Sequence, residues 1–432
     1  LESITVWCIG LYLKPTKISF VMKNNSIKSL FVVLLATGNS SVSAQSLYYV
    51  GNNLNESMPL KWVVGSSLSY DDNIAAGAVG AEKESSYGIS PYVGLTFFNK
   101  SPQTTWDVSA RLGGIYYFEE PEAIGTEQWN NQSSLMVNYT FRYSERLRFV
   151  STNLIRREVQ PDYSYGYASA LTSGEYTFLH TDQAVGWRWS ERFGTYTGFR
   201  VNNNTYENGT ENDRLTLELY NQLRYQLDPS SVLTGDYRYG ETSGDGNASG
   251  YTDHYLLAGI ERRFSPTAVG NFRLGAQLHQ ADRNSVDTTS PYAELAFNST
   301  VNQQFALRSF LRYGIEANDT GQIFLDGISA QFDDRRTLRL GASFTYSFSS
   351  MLSLLGGLDY VPTWYQEGRN TVSGASVEDG SENLFNGYLG LSVKFNDYLT
   401  GSLSYNFTNS DSDFLGTNYS RSRVNIGLSS EF

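Results

Sequence analysis

The chain has 432 residues, a formal net charge of -12 and 40% hydrophobic residues. Its mean hydropathy of -0.36 excludes a bundle of membrane helices, which needs repeated apolar runs of about 20 residues. The acidic balance argues against nucleic acid as a partner, because that needs basic patches.

Residues 1–21 begin with Leu, precede Met22 and hold the only cysteine, Cys8. They are expected to be an upstream mis-start. Residues 22–44 carry Lys23 and Lys28, then the apolar run Leu30 to Ala36, then Ser-Val-Ser-Ala before Gln45. That is the pattern of a secretory signal peptide, cut after Ala44. Residues 45–59 read as a short periplasmic lead, and 60–432 as one transmembrane β-barrel with no further boundary.

From Leu60 onward the hydrophobic period is two. "KWVVGSSLSY" sets Trp62, Val64, Leu68 and Tyr70 against Lys61, Ser67 and Ser69. "RLTLELYNQLRYQL" sets Leu215, Leu217, Leu219, Leu223 and Tyr225 against Arg214, Thr216, Glu218, Gln222 and Arg224. Successive strand side chains point to opposite faces, so each segment has one apolar and one polar face. About 18 such segments follow, near 61–71, 86–98, 103–118, 130–143, 146–158, 174–189, 193–202, 214–227, 231–239, 251–264, 269–280, 290–298, 303–316, 335–348, 351–364, 383–395, 398–408 and 420–432. A count of 16–18 fits the pattern. Short turns such as "SER" (144–146) alternate with long polar loops such as "NNNTYENGTEND". These features predict an all-β, antiparallel, up-and-down barrel in a bacterial outer membrane, with both termini periplasmic. Soluble sandwich strands run about 5–6 residues, and these are longer. Trp62, Trp106, Trp187, Trp189, Trp364, Tyr139, Tyr143 and Tyr360 are placed for aromatic girdles.

The chain closes on "RVNIGLSSEF". Val424, Ile426, Leu428 and Phe432 alternate, and the last strand must pair with the first because lipid tolerates no open edge. This ending resembles the C-terminal signal that barrel-assembly machinery reads in outer-membrane barrels. The inward positions include Arg111, Arg142, Arg188, Arg200, Arg224, Arg273, Arg308, Arg312, Arg339, Arg421 and Arg423, with Glu218, Glu294, Glu316, Asp107, Asp236, Glu261 and Asp359. Such Arg rows suit two roles. They order anions or the carboxylates and hydroxyls of sugars, or they pair with lumen acids and stiffen the wall.

The acidic stretches "YDDN", "DGNASG" and "SDSD" suit solvated loops or cations bridging lipopolysaccharide, but none has the spacing of a calcium loop. Only His180, His254 and His279 are available as bases. His180 and Asp182 share a strand face, whereas adjacent Asp253 and His254 point apart. No nucleophile elbow, metal cluster or cofactor motif is present, so no catalytic, metal or cofactor residue is assigned.

The stretch "ESMPLKWVVGSSLSYDDNIAAG" (56–77) resembles the opening of the β-barrel porin family of bacterial outer-membrane proteins. The likeness rests on a lead passing into a strand that ends Tyr70-Asp71-Asp72-Asn73, on Tyr- and Arg-rich hairpins and on the terminal Phe. It implies a transport role and supplies no catalytic residues. The expected function is a pore for passive passage of small hydrophilic solutes. The alternatives are a non-conducting, loop-plugged barrel serving as scaffold or polysaccharide-export accessory, and an outer-membrane hydrolase. Solute, selectivity and oligomeric state are not legible in the sequence.

Overall fold

The computed structural model describes residues 58–76, 83–121, 127–159, 175–207, 213–244, 250–281, 287–316, 322–324, 327–415 and 417–432. The mis-start, the signal peptide and nearly all of the periplasmic lead lie outside them. Eighteen strands form the wall: β1 (Met58–Asp71), β2 (Ser86–Lys100), β3 (Thr104–Tyr117), β5 (Ser133–Arg142), β6 (Leu147–Glu158), β7 (Tyr176–Arg188), β8 (Phe193–Tyr206), β9 (Arg214–Asp228), β10 (Ser231–Gly244), β11 (Tyr251–Ser265), β12 (Ala268–Ala281), β13 (Asp287–Thr300), β14 (Phe305–Glu316), β16 (Ser329–Ser347), β17 (Leu352–Asn370), β18 (Gly380–Lys394), β19 (Leu399–Ser412) and β20 (Tyr419–Glu431). Two short strands, β4 (Trp129–Asn131) and β15 (Gln322–Ile323), sit in loops beside β3 and β16.

Each wall strand pairs antiparallel with its chain neighbour, and β1 pairs with β20. The sheet is therefore closed, and no backbone edge faces lipid. The seam is fastened at both ends. Trp62 and Phe432 exchange backbone hydrogen bonds of 3.0 and 2.8 Å at one end, where Lys61 also pairs with Glu431. At the other end the buried Arg421 guanidinium grips the Asp71 carboxylate, with Nε donating at 3.0 Å and Nη2 at 2.5 Å.

Local chemistry makes the turns. In the short connections a side-chain oxygen accepts backbone N–H groups two or three residues on, which bends the chain without glycine. Ser144 accepts from Arg146 and Leu147 at 3.2 and 3.1 Å, and Ser349 from Met351 and Leu352 at 3.1 Å each. Asn302 and Asn396 do the same. At the opposite end the strands outrun their sequence pattern. The segments expected at 231–239, 193–202 and 351–364 continue to Gly244, Tyr206 and Asn370. Beyond the girdle both faces are wet, so alternation fades while the backbone ladder continues. In that extension Glu367 has φ 58 and reverses the side-chain parity, so Tyr365 and Gly368 are both buried.

The outer face of the wall is apolar. Leu217, Leu219, Leu256, Leu274, Leu358, Leu389 and Ile426 are exposed on it. Trp62, Trp106, Tyr143, Trp187, Trp189, Phe264, Phe348 and Phe395 ring the turn end, and Tyr87, Tyr116, Trp129, Tyr360 and Trp364 lie toward the loop end. Exposed leucines between two aromatic belts are stable in lipid and not in water.

Candidate functional site: the inner wall

The period-two alternation that points leucines into lipid points the intervening residues into the lumen. The inner face divides into two tracts. On β7–β16 it is charged. Arg200 donates to Asp182 at 2.7 Å and to Glu218 at 2.6 Å, and its guanidinium lies 4.5 Å from the Tyr220 ring centroid. Tyr220 also donates its hydroxyl to Asp182 at 2.6 Å. Arg224 donates to Glu261 and to Gln222 at 2.6 Å each, and Gln222 donates to Asp236 at 2.6 Å. Glu294 is the hub: Arg238 reaches it at 2.8 and 3.1 Å, Arg273 at 3.0 Å and the Tyr292 hydroxyl at 2.7 Å. Glu316 takes two bonds of 2.8 Å from Arg339 and a further one from Arg312. Asp182, Arg200, Glu218, Arg238, Glu294, Arg312 and Glu316 border a cavity of ≈ 310 Å³ that also touches His180, Asp253, Tyr255 and Thr242.

The second tract, on β17–β20 and β1–β3, is built mainly from hydroxyls and amides, with the Arg421–Asp71 ion pair at its loop end. Asn386 donates to Asp359 at 3.2 Å and accepts from Asn406 at 2.7 Å and Thr408 at 3.0 Å. Arg423 donates to the Asn406 amide oxygen, with its Nη2 at 2.5 Å. Glu382 accepts from Ser410 and from the Tyr365 hydroxyl, both at 3.2 Å. Ser67, Ser69, Ser90, Arg111, Gln132, Arg423 and Asn425 line an alcove of ≈ 220 Å³ here. Above this tract, loop residues fold against the wall. Phe324 and Phe414 form a bridge from separate loops and pack with Phe332, Tyr365 and Val377. The Phe332–Phe414 and Tyr365–Phe414 ring centroids are 5.5 and 4.9 Å apart. From these two loop regions Phe324, Phe332, Tyr365 and Val377 pack together, whereas the 371–376 connection is exposed.

The expected lumen residues do face inward, in different company. Arg200, Arg224, Arg273, Arg312 and Arg339 are paired with acids, as are Glu218, Glu294 and Glu316. Arg142 and Arg188 sit at the turn end and donate to backbone carbonyls, of Pro102 at 3.5 Å and of Ser190 and Glu191 at 3.3 Å. Arg308 is half-buried on β14, opposite Asn298 and Ser343. Arg111 differs again. It stacks on Tyr92 at 4.1 Å and makes no ion pair among the described residues.

Sequence reasoning missed Arg238, which bridges to Glu294 across two intervening strands, and the buried pair of His279 Nδ1 with Asp253 Oδ1 at 2.9 Å. Strand order places these groups together over separations that no local motif marks. His180 faces Asn202 at 2.6 Å rather than the neighbouring Asp182, and His254 faces outward beside Tyr237. Of the acidic stretches, Asp71 is held by Arg421, Asp72 pairs with Lys83 at 3.0 Å and Asp413 accepts from Ser381; "DGNASG" lies largely outside the described residues. Ile426, Leu428 and Phe432 of the terminal signal are exposed on the outer face. Val424, in the same alternation, is only partly so.

A closed barrel with an apolar, doubly girdled outer face and a polar inner face is an outer-membrane barrel. No family model matches the chain, and no curated protein matches it in sequence. Among solved structures it is similar to OccAB4 of Acinetobacter baumannii, at 11% identity over 88% of this chain and 100% of that one, with a TM-score of 0.40. It is similar to the outer membrane protein OpdK of Pseudomonas aeruginosa, at 11% identity over 87% and 99%, with a TM-score of 0.45. It is similar also to the FrpB iron transporter of Neisseria meningitidis, at 12% identity over 84% and 62%, with a TM-score of 0.39. The assignment to the outer membrane rests on the two faces of the wall, not on these likenesses.

Proposed function

We propose that the barrel is a porin-like pore for passive passage of small hydrophilic solutes, without enzymatic activity. One observation carries this reading: the inner face is mainly polar along the wall, with apolar clusters only near its loop end, in a barrel of 18 strands, the size class that leaves an aqueous channel. The charges on that face largely cancel in pairs, which favours a weakly selective path over a single tight site. Arg111 adds a modest preference for anions. The exposed face of Ile426, Leu428 and Phe432 is what barrel-assembly machinery would read, and the wall's setting makes lipid and lipopolysaccharide its surroundings.

A second reading has one specific observation in its favour. The aromatic cluster of Phe324, Phe332, Tyr365 and Phe414 ties residues of separate loops together at the loop end, a contact that a loop-closed scaffold or polysaccharide-export accessory would use. The hydrolase reading is weaker. Its best dyad is His279 with Asp253, and among the described residues no hydroxyl bonds the other His279 nitrogen.

The test is single-channel conductance of the protein extracted from an outer membrane and placed in a planar bilayer under a salt gradient. Steady conductance with weak anion preference supports the pore. Silence from a folded, heat-modifiable barrel overturns it in favour of the closed scaffold.

A further inference from the structure

The outer face carries one patch that does not belong in lipid. On β6 and β7, Ser151, Asn153, Thr181 and Gln183 point outward by the parity that exposes Ile155, Leu179, Val185 and Trp187. On β8 and β9, Thr197 and Asn221 do the same, between Phe193, Phe199, Leu219 and Leu223. Asn153, Gln183 and Asn221 lie near the midpoints of their strands, with apolar side chains above and below. The other outward amides of the described wall, Asn99, Asn203, Gln280, Asn383 and Asn409, lie nearer the ends of their strands.

The patch is partly knitted. Thr181 and Gln183 donate to the Asn153 oxygen at 2.8 and 3.0 Å, Asn153 donates to Ser151 at 2.8 Å, and Asn221 donates to Thr197 at 2.6 Å. The knitting is incomplete. The side-chain carbonyl oxygens of Gln183 and Asn221 accept no hydrogen bond among the described residues. A bare amide in hydrocarbon is costly, and acyl chains offer it nothing.

We propose that this patch is the interface through which two copies of the chain associate, side by side, within the membrane. An amide is both donor and acceptor, so a patch of amides is complementary to itself across a two-fold axis. A two-fold pairing needs only this one surface, whereas a head-to-tail ring would need a second, complementary one. Ser151, Thr181 and Thr197 are small and let the two walls approach closely. The partner must also lie at bilayer depth, which removes soluble proteins from consideration.

Single cysteines test this in whole membranes, since the only native cysteine is Cys8. Asn221→Cys and Gln183→Cys should give an oxidised or bismaleimide-linked species of twice the protomer mass. Leu389→Cys, on the outer face of β18 on the far side of the barrel, should not. In the triple variant Asn153→Leu, Gln183→Leu, Asn221→Leu the dimer extracted in mild detergent should fall about tenfold or more, while the barrel still assembles because leucine suits lipid. Equal linking from Leu389→Cys, a linked product containing another protein, or a wild-type chain that is monomeric in membranes overturns the proposal. If the triple variant does not assemble, the single-cysteine results decide alone. Conductance is measured separately, so a failed interface leaves the pore reading standing.

Discussion

The two tracts of the inner wall are held by different physics. On β7–β16 the lumen surface is a chain of ion pairs, with Glu294 shared by two arginines and a tyrosine. On β17–β20 and β1–β3 it is mainly a relay of hydroxyls and amides, crowned by packed aromatic rings. A charged tract is rigid because each partner, once removed, strands a charge. A tract of mainly uncharged groups tolerates exchange, and its aromatic crown supplies the fixed point instead. A solute should feel the wall unevenly: the paired charges on β7–β16 are spent on one another, whereas the second tract keeps Arg111 and an open alcove for a passing ligand.

The sharpest way to break this contrast is the crown. Phe414→Ala removes a fully buried ring and should cost about 3 kcal/mol of local stability. Faster proteolysis of the outer loops and a higher or noisier conductance are the expected readouts. If neither moves, the crown is not what fixes the loops.

Next is the hub. Glu294→Gln leaves Arg238 and Arg273 without their shared carboxylate and should destabilise the barrel by roughly 3 kcal/mol, seen as a lower heat-modification midpoint. Replacing both members of the buried Arg224–Glu261 pair by methionine should leave stability within about 1 kcal/mol of the native value or raise it. A large loss from the double replacement would mean that the pairs stabilise the wall beyond neutralising each other.

Smaller effects separate the tracts by function. Arg111→Ala should shift the anion-to-cation permeability ratio toward cations by about twofold, the scale of one partly screened charge worth ~0.5 kcal/mol. The Arg224–Glu261 double replacement should leave that ratio unchanged. Smallest of all, Glu367→Gly relieves a left-handed backbone and should raise thermal stability by about 0.5 kcal/mol. A loss there would mean that the Glu367 side chain does more for the crown than its backbone strain costs.

Much of this was legible beforehand for a physical reason. A strand one residue thick between lipid and lumen must alternate, so Leu215 to Leu227 on β9 declare both the element and its two faces. The interruption of that series at Asn221 is visible in the same stretch, but its meaning depends on Gln183 and Asn153 lying beside it, which only strand order reveals. Ion-pair partners were not legible, because Arg238 and Glu294 are 56 residues apart and meet through a register set by the intervening hairpins. Nor was the loop packing, since Phe324 and Phe414 carry no pattern that predicts their contact.

By itself, then, the sequence determined the closed, membrane-spanning, period-two barrel and which residues face its lumen, because side-chain direction in a strand is a local property. The tertiary structure decided which charges cancel, where an arginine is left without an acid and which aromatic rings from separate loops pack together. Those depend on neighbours across the sheet, and curvature and register bring them together from distant parts of the chain.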